Sequence, residues 1–521
     1  MICFDNPQAA ASWLKNLILQ SHNPGGSLST DSRLIGAGDA FIAWPGAVND
    51  GRQYVGAALA AGAVACMVEH NGAENFDFKD TRIATYCGLK VASGPLAAAF
   101  FNQPSQQLRI VAVTGTNGKT TTAWWLAAAL GKLGTKAAAI GTLGIGAPGQ
   151  VMLATGLTTP DPVLLQRQLR RLVDEDFAAA VVEASSIGIV EHRLDGLAIE
   201  AAIFTNFTQD HLDYHGSMQS YWLAKSALFD WPGLKAAVVN TDDPHGSKLA
   251  ARLLNQNLDV WTTSAALVGN KSARLQAINI LEAASGLQFD VLDNKTGEQF
   301  LIQCETVGLY NVSNIVGVLA ALCALGVPLC KAVHACQHLP AVPGRSQMLA
   351  VPGQPLVVID YAHTPDALEK ILSALRPGAQ LRGGLIECVF GCGGNRDTAK
   401  RPLMAAAAEK GADRILLTND NPRNENPLAI IDNILQGFVK LDFVKVEPDR
   451  KLAIVQSISR AAPEDTVLIA GKGHEDTQEI AGFKASFSDG DEAMKALYDR
   501  VAESNTELVT QNQKKLLWGA P

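Results

Sequence analysis

The sequence predicts an α/β protein built on parallel sheets, from three observations. Short apolar runs rich in Val, Ile and Ala alternate with helical patterns; polar, glycine-rich clusters directly follow these runs; and one such cluster forms a strand, loop and helix phosphate motif. Alternation of this kind favours strands covered by helices on both faces. The clusters then fall at the carboxyl ends of the strands, where open α/β sheets bind ligands. At 521 residues and about 150 residues per domain, three or four domains are expected.

Residues 1–107 read as a small amino-terminal α/β domain, with strand-like pieces at 40–43 and 63–68, an Ala-rich helical run at 55–61, and a polar linker at 102–107. Residues 108–342 read as a central parallel-sheet domain of the phosphate-loop ATPase type, with buried strands at 109–113, 179–182, 201–204 and 236–239. After Pro343 and Gly344 the alternation restarts at 356–359, 387–390, 414–417 and 466–469, which gives a Rossmann-like third domain over 343–521. No repeat of 20 to 50 residues is visible, and the tail from 504 to 521 is expected to be poorly ordered.

Composition excludes several functions. Hydrophobic residues at 47% and charged residues at 18% suit a folded chain, and a net charge of −8 provides no basic field for nucleic acid. Any anionic ligand must be held by local cations and backbone N–H groups. The longest apolar stretches are too short to span a membrane, and the first residues carry Asp5 and no basic leader, so a cytoplasmic location is expected. Nine cysteines, an odd number without a CxxC pair, argue against a disulfide framework and a structural zinc site.

The strongest motif is VAVTGTNGKTTTAWW. Glycines at 115 and 118 let backbone N–H groups of Gly115, Thr116, Asn117 and Gly118 turn toward phosphate oxygens. Lys119 adds a charge, and Thr120, followed by Thr121, offers a hydroxyl to Mg²⁺ at a helix start. The full spacing of the commoner phosphate loop is absent, because Val113 stands six residues before Lys119 where a glycine would be. Glu183, ending AAVVE, and His211, in TQDHLDYHG, could share a divalent ion with Thr120; by residue type alone, Asp213 and His215 could equally be the pair. Lys225, in YWLAKSALF, reads as a solvated surface lysine.

The shortened loop GTNGKTT resembles the Mur ligase family, whose members use ATP to join amino acids to UDP-muramoyl peptides, and the resemblance runs in matching order from Thr30 to Glu475. It implies a three-domain ligase using ATP and Mg²⁺. Glu183, His211 and Thr120 are implied as metal ligands together with a carbamylated Lys225, and Lys119, Glu183, His211 and Lys225 as the catalytic set. Asn311 in GLYNVSN, Arg345 and Asp360 are implied at the nucleotide. Ser32, Thr158, Thr159, Ser185, Glu191 and Arg193 are implied at the UDP precursor. By themselves, Thr158 and Thr159 could cap a helix, Ser32 a turn, and the Asn311 segment a helix start. Leu157, Ile187, Glu191 and Asn395 depart from the commonest family pattern.

The segment Asp420-Asn421-Pro422-Arg423 alone reads as a turn with a solvated arginine. Within the resemblance it marks enzymes that add meso-diaminopimelate, with Arg423 for the distal carboxylate. Arg396, Gly471 and Glu475 are implied beside it, Glu475 accepting from the distal ammonium. The expected reaction activates the D-Glu γ-carboxylate of UDP-N-acetylmuramoyl-L-Ala-D-Glu as an acyl phosphate, which the diaminopimelate amine then attacks. The expected partners are these small molecules, with neither nucleic acid nor membrane, and the chain is expected to be a monomer. The alternatives are the same reaction with L-lysine, or a non-catalytic protein that binds nucleotide or precursor.

Overall fold

The computed structural model describes residues 1–46, 49–150, 152–266, 273–283, 286–395 and 397–502. Arg396 and the tail expected to be poorly ordered lie outside them.

Three large sheets organise the chain. The first has five parallel strands in the order Cys3–Phe4, Ile83–Tyr86, Ala65–Glu69, Ala40–Ala43 and Leu28–Ser29. Helix Pro7–Leu19 lies over it. Asn6 caps this helix by accepting from Ala9 N, Pro7 sits in the first turn, and Ala10, Ala11, Leu14 and Ile18 form the buried stripe. The polar stretch at 102–107 contains a short helical turn, Pro104–Gln106, with Pro104 and Ser105 buried. Ser105 Oγ accepts from Ala198 N at 3.1 Å, so the connection is pinned to its neighbour.

The central sheet has ten strands. Its middle is the parallel set Ala236–Asn240, Ile199–Phe204, Arg109–Thr114 and Ala179–Glu183, the four runs the sequence marks as strands. An antiparallel meander, Leu275–Ala283, Gly286–Asp293 and Gln299–Cys304, extends one edge and was not anticipated. Burial alternates along Gly286–Asp293, so this strand lacks the continuous apolar run that marks a fully covered one. Helix Lys119–Lys132 buries Trp124, Trp125 and Leu126 in the same core as helix Leu309–Ala324. Among the described residues, no helix is long and apolar enough to cross a membrane.

The third sheet has six strands, in the order Gln347–Leu349, Leu356–Asp360, Thr466–Ala470, Ile386–Phe390, Arg414–Leu417 and Val444–Val446, all parallel except the first. Register sets the geometry that follows. Val113 faces Glu183 and Thr114 faces Phe204 in the central sheet, and Asp360 faces Ala470 in the third, so the loops after these strands emerge along common edges.

Candidate active site

The phosphate loop is shaped by close backbone approach. Gly115 has φ +149°, and a Cβ there would lie 1.9 Å from Thr205 Oγ1; Gly118 has φ +84°, and a Cβ there would lie 2.5 Å from Asn314 Oδ1. Asn206 braces the loop, its backbone oxygen accepting from Thr116 N at 2.8 Å and its side-chain oxygen from Asn117 N at 2.9 Å. Lys119 opens the helix, and its Nζ donates to Gly115 O at 3.0 Å and Thr116 O at 2.9 Å. Burial lowers its pKa, the Glu183 and Asp210 carboxylates oppose the shift without cancelling it, and the Arg345 guanidinium adds to it. The N–H groups of this helix's first turn, including those of Thr120 and Thr121, have no intrahelical acceptor and form the positive end of its dipole.

Glu183 lies beside this loop and is buried. Its carboxylate accepts from Thr120 Oγ1 at 2.9 Å, Thr142 N at 2.9 Å and Thr142 Oγ1 at 3.2 Å. Gly141 makes room, since a Cβ there would stand 2.0 Å from Glu183 Oε1. His211 lines the same cleft, half-exposed, with Nε2 3.5 Å from Asp210 Oδ2. His215 instead points to Ser186 Oγ at 3.0 Å, while Asp213 is exposed.

Lys225 corrects the surface reading. It is buried, donates to Gly115 O at 2.7 Å and lies 4.5 Å from the centre of the Tyr221 ring. Its helix, Met218–Ser226, turns that face inward against the phosphate loop. Burial lowers the Lys225 pKa well below the ordinary lysine value, with the Lys119 charge acting the same way. The unmodified amine is not among the groups that line the ≈ 240 Å³ cavity, and it stops at the Gly115 carbonyl.

The third sheet closes the nucleotide side. Arg345 Nη2 is 3.4 Å from Thr120 Oγ1, the guanidinium lies 4.4 Å from the centre of the Tyr361 ring, and its Nε is buried without a hydrogen-bond partner among the described residues. Asp360 accepts from Ser346 N at 2.7 Å and Ala362 N at 2.8 Å, which fixes the turn carrying Arg345; burial raises its pKa. Asn311 is buried, donating to Thr306 Oγ1 at 2.8 Å and Val307 O at 2.9 Å and accepting from Asn314 at 3.1 Å. Its helix is capped by Gly308 without a side-chain bond, so Asn311 is not the cap. These groups border a cavity of ≈ 240 Å³.

Thr158, Thr159, Ser185 and Arg193 form one network. Thr158 Oγ1 lies 3.0 Å from Thr142 Oγ1; Thr159 Oγ1 donates to Glu183 O at 2.7 Å and lies 2.9 Å from Ser185 Oγ; and Arg193 Nη1 donates to Thr159 O at 3.1 Å. The helix that Thr158 and Thr159 could have capped is capped by Asp161, which also accepts from Thr30. Ser185 does cap the short helix Ser186–Val190. Ser32 opens the helical turn Ser32–Leu34 on the first sheet, which Asp31 caps. Glu191 is screened by an ion pair with Lys90 at 2.7 Å and a bond from Tyr214. Burial opposes ionisation of Glu191, but these two contacts outweigh it and its pKa is lowered.

A second cavity, of ≈ 780 Å³, shares Asp210, His211, Tyr361, His363 and Thr364 with the first, so the two adjoin along these residues. Asp420, Asn421, Arg423, Gly471 and Glu475 line it. Arg423 has φ +52° and donates from Nη1 to Gly394 O at 2.8 Å; Pro422 before it is buried. Gly471 has φ +116°, and a Cβ there would stand 2.5 Å from Asp420 Oδ2. Glu475 Oε2 accepts from Asn421 Nδ2 at 2.7 Å and from buried Lys472 at 2.8 Å.

Residues 113–322 match the model for the Mur ligase middle domain and 344–473 that for the Mur ligase glutamate ligase domain. A protein of Acidovorax sp. (strain JS42) named UDP-N-acetylmuramoyl-L-alanyl-D-glutamate–2,6-diaminopimelate ligase is 53% identical over 500 residues, covering 95% of this chain and 97% of that one. The chain belongs to the Mur ligase family. This Mur ligase is an ATP-dependent enzyme. A protein of the same name from Janthinobacterium sp. (strain Marseille) is 45% identical over 494 residues, covering 93% of this chain and 96% of that one. A solved structure of the same name has a TM-score of 0.63 at 33% identity, covering 92% of this chain and 96% of that one.

Several residues of this Mur ligase's cleft were not singled out from sequence. Thr142 and Asn206 are common residue types in loops, and Asn314 lies inside an apolar helix. Lys472, a buried residue that does not line the cavity but donates to Asn421 and Glu475, carried the clearest available signal, standing between two glycines just after the apolar strand Thr466–Ala470.

Proposed function

We propose that this Mur ligase adds meso-diaminopimelate to the D-Glu γ-carboxylate of UDP-N-acetylmuramoyl-L-Ala-D-Glu, a step of peptidoglycan precursor synthesis in the cytoplasm. The single observation that carries the reading is the pair of adjoining cavities, one lined by the phosphate loop and Glu183 and the other by Asn421 and Arg423, with Asp210, His211 and His363 common to both. The shared name of the 53% and 45% identical relatives agrees with it. In this reading residues 1–107 take the UDP portion with Ser32, 108–342 the nucleotide, and 343–521 the amino acid, and the chain acts as a monomer.

Thr120 and Glu183 are adjacent hard oxygen donors beside the phosphate loop, which suits Mg²⁺. His211 and a carbamylated Lys225 complete the proposed donor set. Bound there, Mg²⁺ offsets negative charge on the triphosphate and the developing acyl phosphate. Lys119 and the helix start hold the β and γ phosphates, and Arg345 adds a second cation against the same group. Thr158, Thr159, Ser185 and Arg193 orient the precursor so that its carboxylate meets the γ-phosphoryl group in line. Arg423 grips the distal carboxylate of diaminopimelate while Asp420 and Glu475 accept from its distal ammonium, with Arg396 and Asn421 completing that end. The neutral proximal amine then attacks the acyl carbon, and phosphate leaves. The lowered Lys225 pKa supports the modification, because only a neutral amine adds carbon dioxide to give a carbamate.

The test is incubation with ATP, Mg²⁺, the UDP-muramoyl dipeptide and meso-diaminopimelate, followed by mass spectrometry of the nucleotide product. A tripeptide product is expected, and ATP left unconsumed in the complete mixture would refute the reading.

A further inference from the structure

Outside the cleft, one cluster of thiol and imidazole groups stands among the described residues. Cys3 lies in the edge strand Cys3–Phe4, Cys87 directly follows Ile83–Tyr86, and His70 directly follows Ala65–Glu69. These three strands are neighbours in one parallel sheet, so the fold gathers side chains that stand 67 and 84 residues from Cys3. Cys3 Sγ lies 3.7 Å from Cys87 Sγ and 3.5 Å from His70 Nδ1, and all three atoms fall within 4.8 Å of one another. All three residues are exposed, so an ion from solvent can reach them.

The two edges from Cys3 Sγ match those of a metal tetrahedron. With metal–sulfur bonds of about 2.3 Å and metal–nitrogen bonds of about 2.0–2.1 Å, tetrahedral angles give a sulfur–sulfur edge of about 3.8 Å and a sulfur–nitrogen edge of about 3.5 Å. Both observed edges agree. His70 Nδ1 is also 3.1 Å from Thr85 Oγ1, and Thr85 Oγ1 is 3.3 Å from Ile2 O. With the hydroxyl donating to Ile2 O, its oxygen faces Nδ1 as an acceptor, so Nδ1 must give up its proton, to the tautomer protonated at Nε2, when a cation binds. Asp5 and Glu69 add negative potential at Cys87, which favours a bound cation.

We propose that Cys3, His70 and Cys87 form a three-ligand site for a thiophilic divalent cation of the zinc class, with solvent as fourth ligand, which fastens the amino-terminal strand to its sheet. The site lies at the opposite edge of that sheet from Leu28–Ser29, the strand leading to Ser32, so it is separate from the proposed precursor contacts. Binding releases the thiol protons, so affinity rises with pH. The absence of a CxxC pair does not count against the site, because its ligands come from three strands and not from one loop.

The test uses the full chain, reduced and stripped with a chelator, then titrated with Co²⁺ and back-titrated with Zn²⁺. Thiolate-to-cobalt charge-transfer absorption with tetrahedral visible bands, saturating at one equivalent and displaced by Zn²⁺, is expected. Cys3→Ser and Cys87→Ser should each lose it, His70→Ala should weaken it, and Cys330→Ser, an exposed cysteine elsewhere, should keep it. Zn²⁺ should raise the Tm of the parent chain and not that of Cys87→Ser, while ligase activity in Mg²⁺ stays unchanged in all four variants. Absent thiolate absorption, or absorption that persists in both Cys3→Ser and Cys87→Ser, overturns the proposal. A Cys3–Cys87 disulfide in the purified chain, with no metal uptake after reduction, overturns it as well. Should Cys3→Ser fail to fold, Cys87→Ser carries the same reading.

Discussion

Lys119 Nζ and Lys225 Nζ converge on one acceptor, the carbonyl oxygen of Gly115, at 3.0 and 2.7 Å. Burial acts on both amines, and two ammonium groups at one buried oxygen also repel each other, so Lys225 is held well below the ordinary lysine pKa. In bicarbonate buffer the intact chain should weigh more by one carbon dioxide, and Lys225→Arg should lose both that increment and roughly 100-fold or more of kcat. An unmodified mass together with full activity in Lys225→Arg would remove Lys225 from the metal site.

Glu183→Gln keeps a side chain of the same shape beside Thr120 and Thr142 but removes its charge. The expected result is a kcat lower by about 100- to 1,000-fold, with saturation shifted to higher Mg²⁺. An unchanged Mg²⁺ dependence would show that this carboxylate does not meet the ion.

Arg423→Ala should raise the KM for diaminopimelate by roughly 10- to 100-fold, the value of a charge-assisted hydrogen bond, while the KM for ATP moves by less than about twofold. Arg423→Lys should recover little of the loss, since an ammonium cannot grip a carboxylate with two parallel donors. Equal effects on both substrates would contradict the assignment.

Arg450 and Asp489 are fully buried and joined by two bonds of 2.7 Å. Arg450 also donates to Asn419 O at 3.2 Å and Ala470 O at 3.0 Å, the residues just before Asp420 and Gly471, so the pair clamps two loops of the second cavity. Asp489→Asn leaves a buried charge unpaired and should cost about 3–5 kcal/mol in chemical denaturation. A cost under about 1 kcal/mol would show that the clamp is not structural.

The sequence was most legible where its signal was local. The runs before Gly115, Glu183, Asp360 and Gly471 are continuously apolar, and each is a buried strand ending at the cleft. The strands Gly286–Asp293 and Gln299–Cys304, where buried and exposed residues interleave, lacked that signature. Residue type and spacing alone give Lys225 as a solvated lysine, because they do not reveal which helix face meets the phosphate loop. Arg450, Asp489 and the Cys3, His70 and Cys87 cluster were invisible for a related reason, since each becomes meaningful only through partners brought by other strands.

The most direct test of the central claim is the ratio of kcat/KM for meso-diaminopimelate to that for L-lysine, measured with saturating ATP, Mg²⁺ and UDP-muramoyl dipeptide. A site built to pair a distal carboxylate should leave its cation unpaired when lysine binds, so a ratio of roughly 10³ or more is predicted. A ratio near one, or a preference for lysine, would contradict the account.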